Sequence, residues 1–146
     1  MRVKSILAGA AVATLVCLPA LAQTVGDPAA GKKVFSKCMA CHRIGPNAKN
    51  LVGPELNGIV GEEVAAVEGY PFSKDFAAWG QGKTWNTQLL TEWVRSPKDV
   101  VPKTKMVFAG IKKDEDITNL IAYLASFDED GKEADPAARI AAADGK

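Results

Sequence analysis

The stretch Ser36-Lys-Cys-Met-Ala-Cys-His-Arg-Ile44, "SKCMACHRI", places two cysteines three positions apart and a histidine directly after the second. Cys38, Cys41 and His42 together could serve a disulfide or dithiol, a zinc ion or a covalently attached haem. Each of these needs different help from the rest of the chain.

Zinc is poorly served. A structural zinc site takes four protein ligands, usually from two such pairs. Here His42 is the only histidine, and the third cysteine, Cys17, lies in an N-terminal segment expected to be removed. A thioredoxin-like C-x-x-C should follow a strand and open a helix in a βαβ pattern. The residues before Cys38 read otherwise: in "GDPAAGKKVFSKCMACH", Asp27 is a candidate N-cap, Pro28 suits the first helical position, and Val34, Cys38 and Cys41 recur at helical spacing. The expected helix runs from Pro28 to Cys41, with the cysteine pair near its end. A plain disulfide in an exported protein stays open, although it gives His42 no role.

C-x-x-C-H is also the attachment signature of c-type haem. Two cysteines three apart on a helix present both thiols to one side, where they can form thioethers to the two vinyl groups of one porphyrin. A histidine directly after them can reach the iron.

The N-terminus supports export. "MRVKSILAGAAVATLVCLPALA" has Arg2 and Lys4, an apolar run, and Ala20-Leu21-Ala22 as a cleavage signal. Residues 1–22 are therefore expected to be a signal peptide removed on the way to the periplasm, taking Cys17 with it. The run is short for a membrane-spanning anchor, so no stable membrane insertion is expected. The formal net charge of the whole chain is +1, and loss of Arg2 and Lys4 brings it to −1, which argues against nucleic acid as a partner. Residues 23–127 carry +2 and residues 128–146 carry −3.

If a haem is present, His42 fills one axial position and the other must come from elsewhere. Met39 lies between the attachment cysteines and cannot swing to the opposite face. Met106, in "VVPKTKMVFAGIKK", sits among prolines, lysines and a glycine rather than on an apolar helical stripe, so core packing explains it less well.

At these residues the sequence resembles the class I c-type cytochromes, the mitochondrial and bacterial soluble electron carriers. The matching stretches are "GDPAAGKKVFSKCMACH", "GPELNGIVG", "GKTW", "LLTEWVRSPKDVVPKTKMVFAGIKK" and "LIAYL", in the family's order from about Gly26 to Phe127. The resemblance implies an all-α cytochrome c fold, with three to five helices and long loops wrapped around one covalently bound haem c. It implies Cys38 and Cys41 as the thioether anchors and His42 and Met106 as axial iron ligands. It also implies that the carbonyl of Pro54 accepts the second ring N–H of His42, the arrangement by which a ligating histidine keeps its orientation and tautomer. Trp85 and Thr104 are implied as haem contacts near the propionates, and Gly31 and Phe35 should pack on Leu120 and Tyr123. Three positions depart from the mitochondrial pattern: Glu62 stands where an Arg is expected, Phe72 stands for a Tyr with Tyr70 nearby, and Trp93 replaces a pocket Tyr.

Outside the first helix, periodicity gives a second helix after Asn86, buried through Leu89, Leu90, Trp93 and Val94 and ending before Pro97. A third begins near Asp114 with a stripe of Ile117, Leu120, Ile121 and Leu124. A short helix at about Ser73 to Trp79 is also expected. No sheet, repeat or second domain is read. A haem would supply the apolar centre around which the long segment between His42 and Thr84 can wrap. Residues 128–146, acidic and Ala-rich, are expected to form a disordered tail or a frayed short helix after Pro136.

The functional expectation is a monomeric, non-enzymatic single-electron carrier. Its partners would be membrane redox complexes or a periplasmic dehydrogenase, oxidase or reductase, met transiently through the lysines around Met106. The rival is a haem enzyme or ligand sensor with an open sixth site. That chemistry usually needs distal polar groups, such as a second histidine, which this chain lacks.

Overall fold

A computed structural model describes residues 25–146. The expected signal peptide and Cys17 lie outside the described residues. Six helices follow in order: α1 Pro28–Phe35, α2 Lys74–Gly80, α3 Thr87–Arg95, α4 Pro97–Val100, α5 Asp114–Ala125 and α6 Pro136–Asp144. Among the described residues the only extended pairings are two isolated bridges, Glu63 with Thr84 and Phe127 with Glu133. The all-α reading holds, with one helix beyond the three to five expected.

α1 starts where its sequence dictates. The Asp27 carboxylate accepts the Ala29 N–H at 2.8 Å, and Pro28 supplies a helical φ without wasting a donor. The helix stops at Phe35, six residues short of the expected end at Cys41. The Ser36 hydroxyl competes for the Lys33 carbonyl at 2.7 Å, and the chain tightens into three-residue turns, with Lys37 N–H to Val34 O and Cys38 N–H to Phe35 O. The cysteines thus sit in turns beyond the helix rather than on it.

The first and fifth helices cross at Gly31. A Cβ there would overlap the carbonyl of Asn119, so the two backbones can approach this closely only at a glycine. The Asn119 side chain also accepts the Asp27 N–H at 2.7 Å, and the rings of Phe35 and Tyr123 meet with centroids 5.3 Å apart. This is the predicted contact between the first helix and the Leu120–Tyr123 turn. α5 presents Ile117, Leu120, Ile121 and Leu124 to the core, all buried. Its N-terminal turn carries Asp114, Glu115 and Asp116, favoured by the helix dipole.

α3 is capped by Asn86, whose side chain accepts the Leu89 N–H at 2.9 Å, and buries Leu90, Trp93 and Val94. α2 starts one residue later than expected, on a Ser73 cap. The single turn α4 after Ser96 was not read from the sequence; Pro97 opens it, as prolines open helices.

Residues 128–146 require a correction. A helix does follow Asp135 as one of the two readings had it, but it is neither frayed nor loose: the chain makes a tight turn and then α6, which packs on α5 and α3. Asp135 caps it, and Ile140 and Ala143, one turn apart, are buried. Asp144 accepts the N–H of Thr87 at 2.8 Å and its hydroxyl at 2.8 and 2.9 Å. Arg139 and Lys146 bond to loop carbonyls of residues 58–61. Composition misled here because the buried surface is small and most of the anchoring is polar.

Candidate functional site

The helices and the long loops enclose an apolar cavity of about 440 Å³. Its lining brings together residues that are far apart in sequence: Cys38, Cys41 and His42 from the turns after α1, Pro54, Trp85 before α3, and Thr104 and Met106 from the loop before α5. Every predicted site residue reaches this one cavity.

His42 is the most constrained of them. Its Nδ1 lies 2.7 Å from the carbonyl oxygen of Pro54, which can only accept, so Nδ1 carries the proton and Nε2 keeps its lone pair. The Gly53 backbone lies flat on the ring, and a Cβ at that position would overlap Cε1 of His42. Two backbone bonds fix the register of the two segments, Gly53 N–H to Cys41 O and Leu56 N–H to Arg43 O, each at 2.9 Å. Burial lowers the His42 pKa, partly offset by the bond to Pro54, so the ring is held neutral. Neutral imidazole with one nitrogen tied back is the form that ligates a metal.

Cys38 and Cys41 form no disulfide with each other, and both residues are half-buried at the cavity wall. Burial pushes the Cys38 thiol up to about 11, against a smaller lowering by Lys37 and a further rise from Cys41. A dithiol redox pair works the other way, through a nucleophilic thiol with a depressed pKa. Cys38 therefore lacks the environment of a thioredoxin-like nucleophile.

Met106 lies in irregular chain, half-buried against the core. Its N–H donates to the Thr104 hydroxyl at 3.1 Å, and Thr104 N–H donates to Val101 O at 2.9 Å. Downstream, Ile111 N–H reaches Val94 O of α3 at 2.9 Å. The methionine loop is therefore pinned on both sides, although it forms no helix.

Trp85, at 4% exposure, is the anchor of an aromatic group with Phe76, Trp79 and Trp93. The three departures from the mitochondrial pattern also face the cavity: Glu62, Phe72 with Tyr70, and Trp93. The Tyr70 hydroxyl donates to Val52 O at 2.7 Å and latches two loops together. Trp93 fills space beside Phe76, with ring centroids 5.1 Å apart.

Sequence reasoning missed two residues that shape the site. Gly53 is one; its signal was its position just before Pro54, where the histidine must pack. Asn57 is the other. It is buried, accepts the Gly45 N–H at 2.7 Å and donates to Gly45 O at 3.2 Å, holding the loop that leaves His42. Nothing in the local pattern marks that role.

The donor set suits a haem. Two thiols stand at the wall of an apolar cavity, a neutral imidazole is tied at Nδ1, a thioether side chain shares the lining, and the walls are aromatic and aliphatic. Comparison with known proteins agrees. The family profile described as cytochrome c matches residues 28–128. The chain is 54% identical over 107 residues to cytochrome c-550 of Nitrobacter winogradskyi, covering 73% of this chain and 96% of that protein. It is 46% identical over 111 residues to cytochrome c-554 of Methylosinus trichosporium, covering 76% and 83%. The solved structure of cytochrome c2 from Rhodospirillum centenum superposes with a TM-score of 0.66 at 36% identity, over 70% of this chain and 99% of that one. The chain belongs to the cytochrome c family and carries the family's covalently bound haem c.

Proposed function

We propose that this electron-carrying cytochrome c anchors its haem through Cys38 and Cys41, holds the iron between His42 and Met106, and works as a monomeric shuttle in the periplasm. One observation carries the reading: the His42 Nδ1 bond to Pro54 O, 2.7 Å long, fixes a neutral ring in a cavity that both cysteines and Met106 also line.

When bound, the haem supplies an iron that alternates between ferric and ferrous and so moves one electron without making or breaking a bond. The chain's own residues make this fast and reversible. Pro54 and Gly53 hold the His42 ring still. Thr104 and the pinned loop hold Met106. Ligands that stay in place lower the reorganisation that accompanies transfer, and a methionine ligand favours the ferrous state. Trp85 and its aromatic neighbours exclude water from the interior.

The partners proposed are membrane redox complexes or a periplasmic dehydrogenase, oxidase or reductase. Support comes from Lys37 and Lys105, which lie at the cavity lining and put positive charge at its margin. Transient docking by charge favours fast association and release.

The test is spectroscopic. A pyridine haemochrome should show c-type haem, and the ferric protein should show a methionine–iron charge-transfer band. Met106→Ala should keep the haem attached, lose that band and bind cyanide readily. A wild-type spectrum that is high-spin, with ready carbon monoxide binding, would favour an open-site haem enzyme or sensor instead. A Met106→Ala protein with an unchanged band would remove Met106 as the ligand.

A further inference from the structure

Glu62 is the one acid whose side chain enters the cavity lining. Its Oε2 is buried and has no hydrogen-bond partner. An unpartnered buried oxygen of this kind is uncommon, and it belongs to a residue that is only half-buried, so the carboxyl sits between the cavity wall and solvent.

The backbone around it is fixed. Glu62 O accepts the Trp85 N–H at 2.8 Å, and Gly61 N–H donates to Trp85 O at the same distance. From the other side Arg139 reaches Gly58 O and Val60 O, each at 3.2 Å, and Lys146 reaches Gly61 O at 2.8 Å. The backbone that carries the carboxyl is therefore held in place at the cavity wall.

The charges around it do not neutralise it. Glu55 and Glu129 are the nearest that act on its carboxyl, and both oppose its ionisation. Arg139, from α6, places one terminal nitrogen on the two carbonyls and on Glu129 at 3.0 Å, while its Nε is buried and makes no bond to Glu62 or to any other group among the described residues. Asp144 of the same helix is turned to Thr87. Lys146 bonds to the Gly61 carbonyl, and Lys83, from the segment paired with residues 62–64, has its ammonium over the Trp79 ring at 5.1 Å. None of these cations forms an ion pair with Glu62 among the described residues. Burial and the two carboxylates move its pKa upward, towards the neutral range.

We propose that Glu62 is a redox-linked proton site: its carboxyl takes up one proton from solvent when the haem of this carrier gains an electron, and releases it when the electron leaves. The inference rests on the carrier reading. The electron comes from the donor that the carrier activity already supplies, and the proton comes from water. Charge is conserved at the site, since the added electron is matched by the proton on the acid. The physical cause is that one added negative charge acts on a second one across the cavity wall, where screening is weaker than in bulk water. Reduction should raise the proton affinity of Glu62 by about tenfold, the order expected for one unit charge in such a medium.

The experiment is a spectroelectrochemical titration of the holoprotein from mildly acid to mildly alkaline pH, for wild type and Glu62→Gln. The wild-type potential should fall as pH rises through the titration of Glu62, and the Gln variant should be flat over that range. The redox-difference infrared spectrum of the wild type should gain a protonated-carboxyl band on reduction. That band should shift when the protein is labelled with 13C-glutamate, which separates a glutamate carboxyl from the haem propionates, and its loss in Glu62→Gln assigns it to Glu62. An equal pH slope in Glu62→Gln would mean that the haem propionates titrate instead, and would overturn the proposal. So would a wild-type difference spectrum without a glutamate carboxyl band. A wild type lacking any reversible one-electron wave would overturn the carrier reading itself, and this proposal with it.

Discussion

A single guanidinium nitrogen of Arg139, in α6, lies 3.2 Å from the carbonyl oxygen of Val60, 79 residues earlier in the chain. The same nitrogen also bonds to Gly58 O and to Glu129. The C-terminal helix is therefore a brace for the loop that forms one wall of the haem cavity. Arg139→Ala should leave two half-buried carbonyls without their donor and lower unfolding free energy by about 1–3 kcal/mol. Denaturant unfolding monitored by tryptophan fluorescence would measure this, and a change below about 0.5 kcal/mol would show that the brace is idle.

The same bond gives a pH prediction. The pKa of Glu129 is lowered, first by a bond from its own backbone N–H and then by Arg139. A carboxylate with a depressed folded pKa stabilises the fold fully above its unfolded pKa and loses that contribution as pH falls through the folded one. Glu129→Gln should therefore be less stable than wild type at neutral pH, and the gap should close in acid. Denaturation midpoints measured at successive pH values would check it; a gap that widens in acid would contradict the sign.

Gly53→Ala should disturb the iron without touching a ligand. The added methyl would overlap the His42 ring, which must then tilt or pull its Nδ1 away from Pro54. Small-to-large changes in packed sites cost typically about 1–3 kcal/mol. A weakened axial histidine should also appear as faster cyanide binding and a displaced reduction potential. An unaltered ligand-binding rate would mean that the loop gives way instead.

Electron transfer to the physiological partner should slow as salt is added. Exposed charges are strongly screened beyond roughly 10 Å at about 0.1 M salt. Changing Lys98 and Lys105 to Glu should slow association and leave the potential nearly unchanged. Deleting residues 128–146 would be a poor control, because it would remove α6, which packs on α5 and α3. Neutralising exposed Asp130 and Glu133 to Asn and Gln is the cleaner one, and should leave the salt dependence in place. A rate that is flat or rising with salt would place docking on an apolar or different surface.

What could be read from the sequence was what short-range physics specifies. Asp27-Pro28 and Asn86 mark helix starts through their own side-chain caps, and the stripe from Ile117 to Leu124 marks a buried face. Cys38, Cys41 and His42 are adjacent enough to announce a shared site. Met106 stood out by its loop setting and the resemblance gave it a role, while Pro54 came only through resemblance, since no local pattern shows that a loop carbonyl will meet a ring twelve residues back. The end of α1 was overestimated because periodicity cannot see the Ser36 hydroxyl taking the Lys33 carbonyl. The fate of α6 was hidden because its binding depends on loop carbonyls, which every residue possesses and no sequence advertises.

The crossing at Gly31 joins the two ends of the domain: Asp27 and Asn119 are 92 residues apart and share a hydrogen bond. Everything between them is held as a closed ring of chain. A protease cut at the exposed turn around Glu68 and Gly69 should therefore open the covalent ring without separating its halves. The nicked molecule should behave as a two-piece complex, its pieces recombining through the α1–α5 interface, with the attachment cysteines on one piece and Met106 on the other. The domain is in this sense divisible, and its two proposed iron ligands belong to different fragments.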